Sequence, residues 1–320
     1  LRIHTWMAST SIGLLAVALV SCSADTDRDA SSDGSVTIEH IFGSTTIDET
    51  PKRIVTLGVS DADAAIALGT VPVGNTGYSF YETGLGPWTD EAVGDAPLTL
   101  IDSDSEPNLE QIAELAPDLI VGINAGFDED VYRKLSDIAP TIARPAGTAA
   151  YTVSREDATS TIATALGVPE RGDELNRETT ELLSQAKSDH PEFADMTGVA
   201  VLPYDGQYGA FLPGDARGQF LNSLGLDTPE AITSQDTGDS FFVPVSAENI
   251  GMLDADVVLF LSTDQNVDVV AENPLFGTLR AARQNNVIAT SIDQRGAITY
   301  NSVLSIPYAI DTLVPRINTD

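Results

Sequence analysis

Residues 169–190 read PERGDELNRETTELLSQAKSDH. Leu175, Leu182, Leu183 and Ala186 recur on one face at helical spacing, while Glu174, Glu178, Glu181 and Gln185 occupy others. Pro169, with its fixed φ and no N–H to lose, suits a first helical turn. The stretch therefore predicts one helix of roughly 20 residues, about 30 Å long. What makes it decisive is its flanks. Before it, residues 108–121 read NLEQIAELAPDLIV; after it, residues 246–259 read SAENIGMLDADVVL. Aligned without gaps, the two share Glu110 with Glu248, Ile112 with Ile250, Leu115 with Leu253 and Asp118 with Asp256. Each reads as a short helix running into a buried strand. The expectation is an α/β protein of two Rossmann-like lobes, each built on a parallel sheet, joined by a single long helix.

Working outward, the first lobe spans residues 36–168 and the second 191–320, with residues 169–190 as the link. Residues 36–47 alternate loosely and suggest an edge hairpin. Residues 51–58 then form a buried strand, residues 62–68 a helix capped by Ser60-Asp61, and residues 71–74 a second strand. That β-α-β order favours parallel pairing with helices on the faces. Residues 75–104 read as a long loop carrying Tyr78, Phe80, Tyr81 and Trp88 among glycines. These rings either fold over a core or line a ligand cleft. The strand over residues 118–123 ends at Asn124. A helix over 128–138, a strand over 141–143 ending at Arg144-Pro145 and a helix over 154–166 complete the lobe. Past the linking helix come a strand over 198–203, a loop over 204–218 with Tyr204, Tyr208, Phe211 and Arg217, and a helix over 219–224. A further loop over 239–244 bears Phe241 and Phe242. The strand over 257–261, a helix over 274–282 and a strand over 287–290 follow. A polar turn over 293–300 carries Arg295 and Tyr300, and a closing helix covers 302–317.

The charge balance narrows the partners. Sixteen Lys and Arg against 48 Asp and Glu give a net charge of -32, a surface that repels nucleic acid and anionic headgroups. An anionic ligand must then be met by a few locally placed cations. At the start of the chain, Arg2 and His4 precede an apolar run from Ile12 to Val20. That run suits a signal-peptide core and is too short to span a bilayer comfortably. It closes in Leu19-Val20-Ser21-Cys22, which resembles a bacterial lipobox; residues 1–21 are then a signal peptide, Cys22 the lipidated residue and residues 22–35 a disordered tether. Cys22 is the single cysteine in the sequence, so no intrachain disulfide is available.

Catalytic constellations are scarce. His4, His40 and His190 are the three histidines and none has a partner at metal-site or triad spacing. No phosphate-binding G-x-x-x-x-G-K-[ST] loop or G-x-G-x-x-G turn follows a strand. These residues argue against an enzyme and against a resident metal or cofactor.

The unit containing Glu110 and Pro117-Asp118, the opening Thr50-Pro51-Lys52-Arg53-Ile54-Val55, the stretch from Tyr132 to Thr141 and the close Asn273-Pro274-Leu275-Phe276 resemble substrate-binding proteins of ABC importers. The subgroup they are most similar to takes up iron-siderophores, haem and cobalamin, and within it the iron-siderophore members of Gram-positive actinobacteria. The resemblance spans about residues 36–315. It implies the class III periplasmic-binding-protein fold, with a ligand held between lobes that hinge little, and delivery to a membrane permease. It also implies that Glu110 and Glu248, at equivalent places in the repeats, dock on the permease. In parallel α/β sheets ligands sit off the carboxyl ends of the strands, where the aromatics lie with Arg144, Arg217 and Arg295. Guanidinium groups suit iron-bound oxygens, and rings supply contact area. The reading is a lipid-anchored, monomeric protein on the extracytoplasmic face of the membrane that binds a ferric siderophore. The alternatives are haem or a corrinoid in the same fold, or an envelope lipoprotein without transport.

Overall fold

The structure is a computed structural model that describes residues 35–319 apart from 79, 104, 105 and 239. The expectations for the signal peptide, for Cys22 and for the tether up to residue 34 lie outside the described residues. Among those described, no helix is long and apolar enough to cross a membrane.

The first lobe opens on the expected hairpin, β1 (Val36–His40) paired antiparallel with β2 (Gly43–Ile47). Its central sheet contains β3 (Ile54–Thr56), β4 (Gly74–Asn75), β5 (Thr99–Leu100), β6 (Leu119–Gly122) and β7 (Thr141–Ala143). The order is β5-β4-β3-β6-β7, with every pair parallel. The second sheet contains β8 (Gly198–Tyr204), β9 (Gln207–Phe211), β10 (Phe242–Ser246), β11 (Val257–Phe260) and β12 (Val287–Ala289). Its order is β10-β9-β8-β11-β12. Here β8, β11 and β12 run parallel, but β9 and β10 run antiparallel, so this sheet is mixed. Residues 204–218 are accordingly not one loop. Asp205 and Gly206 both adopt positive φ (46° and 72°), the two-residue turn that matches strand twist and folds β9 back on β8.

Both sheets are buried on both faces, as parallel α/β sheets are. Along β11, Val257, Leu259 and Leu261 enter one core while Val258 and Phe260 enter the other. In the first lobe Leu119, Val121 and Ile123 face one core and Ile120 its opposite. This is the period-two alternation of a strand.

The repeat seen in the sequence has a structural counterpart. Asp118, just before β6, accepts the N–H groups of Lys52 and Arg53 (2.8 and 2.9 Å) at the start of β3. Asp256, just before β11, accepts the N–H and the hydroxyl of Thr197 (2.9 and 2.8 Å) at the start of β8. In each lobe one carboxylate thus sets the register of the central strand pair. The short helix of the first unit is α-helical (Leu109–Glu114) and capped by the Asn108 side chain. That of the second is a 3-10 helix, Ala247–Leu253, kinked at Asn249.

The linking helix runs from Pro169 to Asp189 and buries Gly172, Leu175, Thr179, Leu183 and Ala186. Leu182, assigned to that face from its spacing, is instead exposed. It neighbours Leu183, and 3.6 residues per turn place the two about 100° apart. At the first-lobe end a Cβ on Gly172 would lie 2.5 Å from the Ala163 Cβ, so glycine permits close contact with the helix Arg155–Ala165. Asn176 donates to Glu156 O and Ser160 Oγ, both at 3.0 Å. At the other end Leu183 and Ala186 enter the second lobe's core. One rod is therefore packed into both halves.

Further segments differ from expectation: strand β10 begins within the stretch expected as the loop 239–244, and the stretch expected as the loop 75–104 contains β5 and a short helix, Asp90–Val93. Residues 292–300 are a helix rather than a polar turn, because Ser291 and Gln294 form a reciprocal capping box. Residues 274–282 divide into a 3-10 turn, Pro274–Thr278, and a short helix, Arg280–Arg283.

Candidate functional site

The carboxyl ends of the first lobe's strands are bound together from beneath. Asp61 is fully buried and accepts the N–H groups of Gly58 (3.1 Å), Ile123 (2.8 Å) and Asn124 (3.1 Å), tying the turn after β3 to the turn after β6. Thr76 donates to Leu57 O at 2.9 Å, adding the turn after β4. Over this frame lies a hollow of about 700 Å³ lined by Val59, Thr76, Tyr78, Asp102 and Tyr151, among others. It continues past Leu57 and Thr76 into a space of about 250 Å³ bounded by Glu106, Phe127 and Asp128. Past Val59 and Tyr151 it reaches a space of about 200 Å³ between the lobes, where Asn124 faces Asp215, Arg217, Phe241 and Thr299.

The long aromatic loop divides its four rings between two tasks. Gly77 (φ +42°) has no room for a side chain: a Cβ there would lie 2.1 Å from Gly84 O. This close approach folds the loop, with Tyr78 N–H donating to Gly84 O at 2.9 Å. Trp88 turns away from the hollow, its Nε1 donating to Asp63 at 2.7 Å. Its ring packs against Tyr300 and Tyr308 of the second lobe (5.5 and 5.6 Å between centroids). Tyr81 donates to Asp293 Oδ1 at 3.1 Å. Tyr300, almost fully buried, donates to Gly84 O. Trp88, Tyr81 and Tyr300 therefore clamp the first lobe's loop to the helix Ile292–Tyr300. Ser302 joins this knot by donating to Asp63 Oδ2 at 2.5 Å. Asp63 is fully enclosed, and burial, opposed by those two hydrogen bonds, pushes its pKa up to about 7.

Tyr78 lines the hollow, and Phe80 is exposed with its ring packed edge-on to Tyr78. Arg295 lies over the Phe80 ring at 4.9 Å. Burial raises the Tyr78 hydroxyl's pKa, while Arg295 and Arg217 close by oppose the rise, so guanidinium groups of the second lobe sit around a tyrosine of the first. Arg217 is held firmly in the first turn of the helix Ala216–Leu224. Its Nε and one terminal nitrogen grip Asp215 at 2.6 and 2.5 Å, and its guanidinium lies 3.8 Å above the Phe211 ring. Phe241 is exposed at the cleft and Phe242 backs Phe211, with Tyr204 packed edge-on to Phe242.

Besides Trp88 and Tyr81, four anticipated residues are placed otherwise, the first being Phe211, which is buried in the second lobe's core beneath the Arg217 guanidinium. Tyr208 is buried in the second lobe's core, its hydroxyl donating to Asn273 at 3.0 Å and its ring against Phe276; its position on β9 turns it away from the cleft. Arg144 spends its guanidinium on the carbonyls of Ala125, Phe127 and Thr148, shaping the loops after β6 and β7. Tyr300 serves the clamp between lobes. Conversely, the residue shared by all three cavities, Tyr151, was not anticipated. It lies on the loop after β7 with positive φ (62°), its ring 54% exposed and against Gly126. Its trace in the sequence is position alone: a large ring in the loop at a parallel strand's carboxyl end. Among the described residues no group of three or more His, Cys, Asp or Glu is arranged to hold a metal ion.

Two α/β lobes fixed by one helix, with an aromatic hollow where their strand-end loops meet, define a solute-binding protein, and residues 54–292 match the family model described as periplasmic binding protein. The chain belongs to this family, whose members bind substrates and are not enzymes. It is 31% identical over 290 residues to the Fe(3+)-citrate-binding protein YfmC of Bacillus subtilis, covering 88% of each chain. Among solved structures it superimposes on a periplasmic solute-binding protein of Mycobacterium smegmatis with a TM-score of 0.78 and 33% identity, covering 89% of this chain and 98% of that one. Streptococcus pneumoniae PiaA in complex with ferrichrome gives 0.76 and 27%, covering 88% and 97%.

Proposed function

We propose that the protein captures a ferric siderophore between its lobes and delivers it to an ABC importer permease, from an extracytoplasmic position held by lipid on Cys22. One observation carries the reading: Asn124 and Tyr151 of the first lobe and Arg217 of the second line one space that opens into the hollow beside Tyr78, whose neighbour ring Phe80 lies under the Arg295 guanidinium. Guanidinium groups donate in a fixed fork to chelate oxygens, and the rings cover its organic frame. The iron arrives already chelated, so the protein needs no ligand of its own. The names of YfmC and of the PiaA complex support iron chelates as the cargo class.

Delivery rests on Glu110 and Glu248. Both are exposed, and both lie in the first turn of the repeated unit of their lobe. Exposed charges so paired orient a docking partner more than they add affinity. Isothermal titration of the full chain with ferric siderophores and with haem tests the cargo: saturable binding of a ferric siderophore supports the reading, and binding of haem alone refutes it.

A further inference from the structure

Resting on the ferric-siderophore reading, the charges around the cleft narrow the chelate. We propose that the ligand is a ferric tris-hydroxamate, neutral or cationic, rather than a ferric polycarboxylate or tris-catecholate. Three hydroxamates each lose one proton and together balance the ferric ion; citrates and catecholates lose more and leave an anion.

The cleft is poorly made for an anion. Its cavities, including the one that shares Asn124 and Tyr151 with the space between the lobes, are lined by the carboxylates of Asp102, Glu106, Asp128 and Asp215 and by two guanidiniums, those of Arg217 and of Arg155, which pairs with Glu156. Arg217 is already committed, with two of its nitrogens on Asp215, which is 5% exposed. Lys134 reaches Glu106 at 3.5 Å from outside the cavities. Arg295, over Phe80, has no carboxylate within ion-pair distance among the described residues. With Glu156, Lys134 and Arg295 counted, five carboxylates face four cations, within a chain of net charge -32. A multiply anionic chelate would meet repulsion from the nearby wall and from the whole field.

The rest of the lining suits a neutral chelate carrying N–H groups. Val59, Leu57, Tyr78, Tyr151 and Phe241 offer apolar and ring surface, and Thr76 and Thr299 offer hydroxyls. Asn124 has its Oδ1 buried without a partner and Arg155 its Nε, so the unmet polar capacity is one acceptor and one donor. An amide, with its N–H and its C=O, satisfies both, whereas a carboxylate satisfies the donor alone.

The test is isothermal titration of the full chain with ferrichrome (neutral), ferrioxamine B (cationic), ferric citrate and a ferric tris-catecholate, at ionic strengths of about 0.02 M and about 0.3 M. The expected result is a hydroxamate ahead of both anions by at least about 10-fold, or about 1.4 kcal/mol, with the gap narrowing as salt screens the repulsion. Either anion binding tightest, or a gap that widens with salt, overturns the inference and leaves the ferric-chelate reading standing. Failure of all four to bind protein that circular dichroism shows to be folded overturns that reading, and the inference with it.

Discussion

Replacing Asp63 by Asn separates the clamp's charge from its hydrogen bonds. Asp63 Oδ2 accepts from Trp88 Nε1 and from Ser302 Oγ, while Oδ1 is buried without a partner. In Asp63→Asn the side-chain oxygen keeps both donors and the amide nitrogen takes the unpartnered side. Folded, the carboxyl keeps its proton up to about pH 7, because burial dominates; unfolded, it loses it near its ordinary value of 3.8. Between those values the folded protein binds more protons than the unfolded chain, so this group's contribution to stability falls as pH rises from about 4 to about 7 and is flat above. A span of roughly three pH units corresponds to about 4 kcal/mol. The Asn variant lacks this dependence and carries a pH-independent cost of about 1–3 kcal/mol for its unpaired amide. The variant should therefore gain on the wild type by about 4 kcal/mol between pH 4 and pH 8, whichever is the more stable at the start. Urea unfolding followed by far-UV circular dichroism across that range measures the difference. A gap constant with pH, or one that moves against the variant as pH rises, would show a carboxylate ionised and stabilised in place, and would refute this account of the clamp.

Three further outcomes are expected. Arg217→Ala and Arg295→Ala should each weaken ferric-chelate binding by about 10- to 100-fold, the loss of a charge-assisted contact. Arg217→Ala should also lower the melting temperature, because it strands the buried Asp215; calorimetric titration and thermal melts together check both. Truncating Tyr151 to Ala removes a half-exposed wall, so affinity should fall by about 3- to 10-fold, on the scale of one ring contact, with the melting temperature unmoved; equal affinity would exclude the ring from the site. Reversing both docking charges, Glu110→Arg with Glu248→Arg, should leave chelate affinity as it was and abolish uptake of labelled iron by cells, whereas normal uptake would place docking elsewhere.

The architecture was legible wherever one local rule sufficed. The linking helix, the repeated unit and the buried strands follow from spacing, and the lobes they predict are present. The misses have identifiable causes. Asp205-Gly206 is a hairpin signal inside a stretch read as loop for its glycines and tyrosines. Ser291 and Gln294 form a capping box inside a stretch read as a turn for its polarity. The site was less legible, because composition names the rings but packing assigns them. Trp88 and Tyr78 stand in the same loop, yet one fastens the lobes through Asp63 and the other faces the cleft. Tyr208 alternates into the core because β9 exists, which the loop reading denied it. Tyr151 carried no pattern; its importance comes from three strand-end loops converging on it.

The central claim is that iron rests between the lobes. Crystals of the full chain grown with ferrichrome, measured on the high-energy side of the iron absorption edge, locate the metal directly by its anomalous scattering. The account predicts one peak in the hollow among Tyr78, Tyr151, Arg217 and Arg295. A peak on an outer face of either lobe, or ferrichrome bound with its iron away from these four residues, would contradict it.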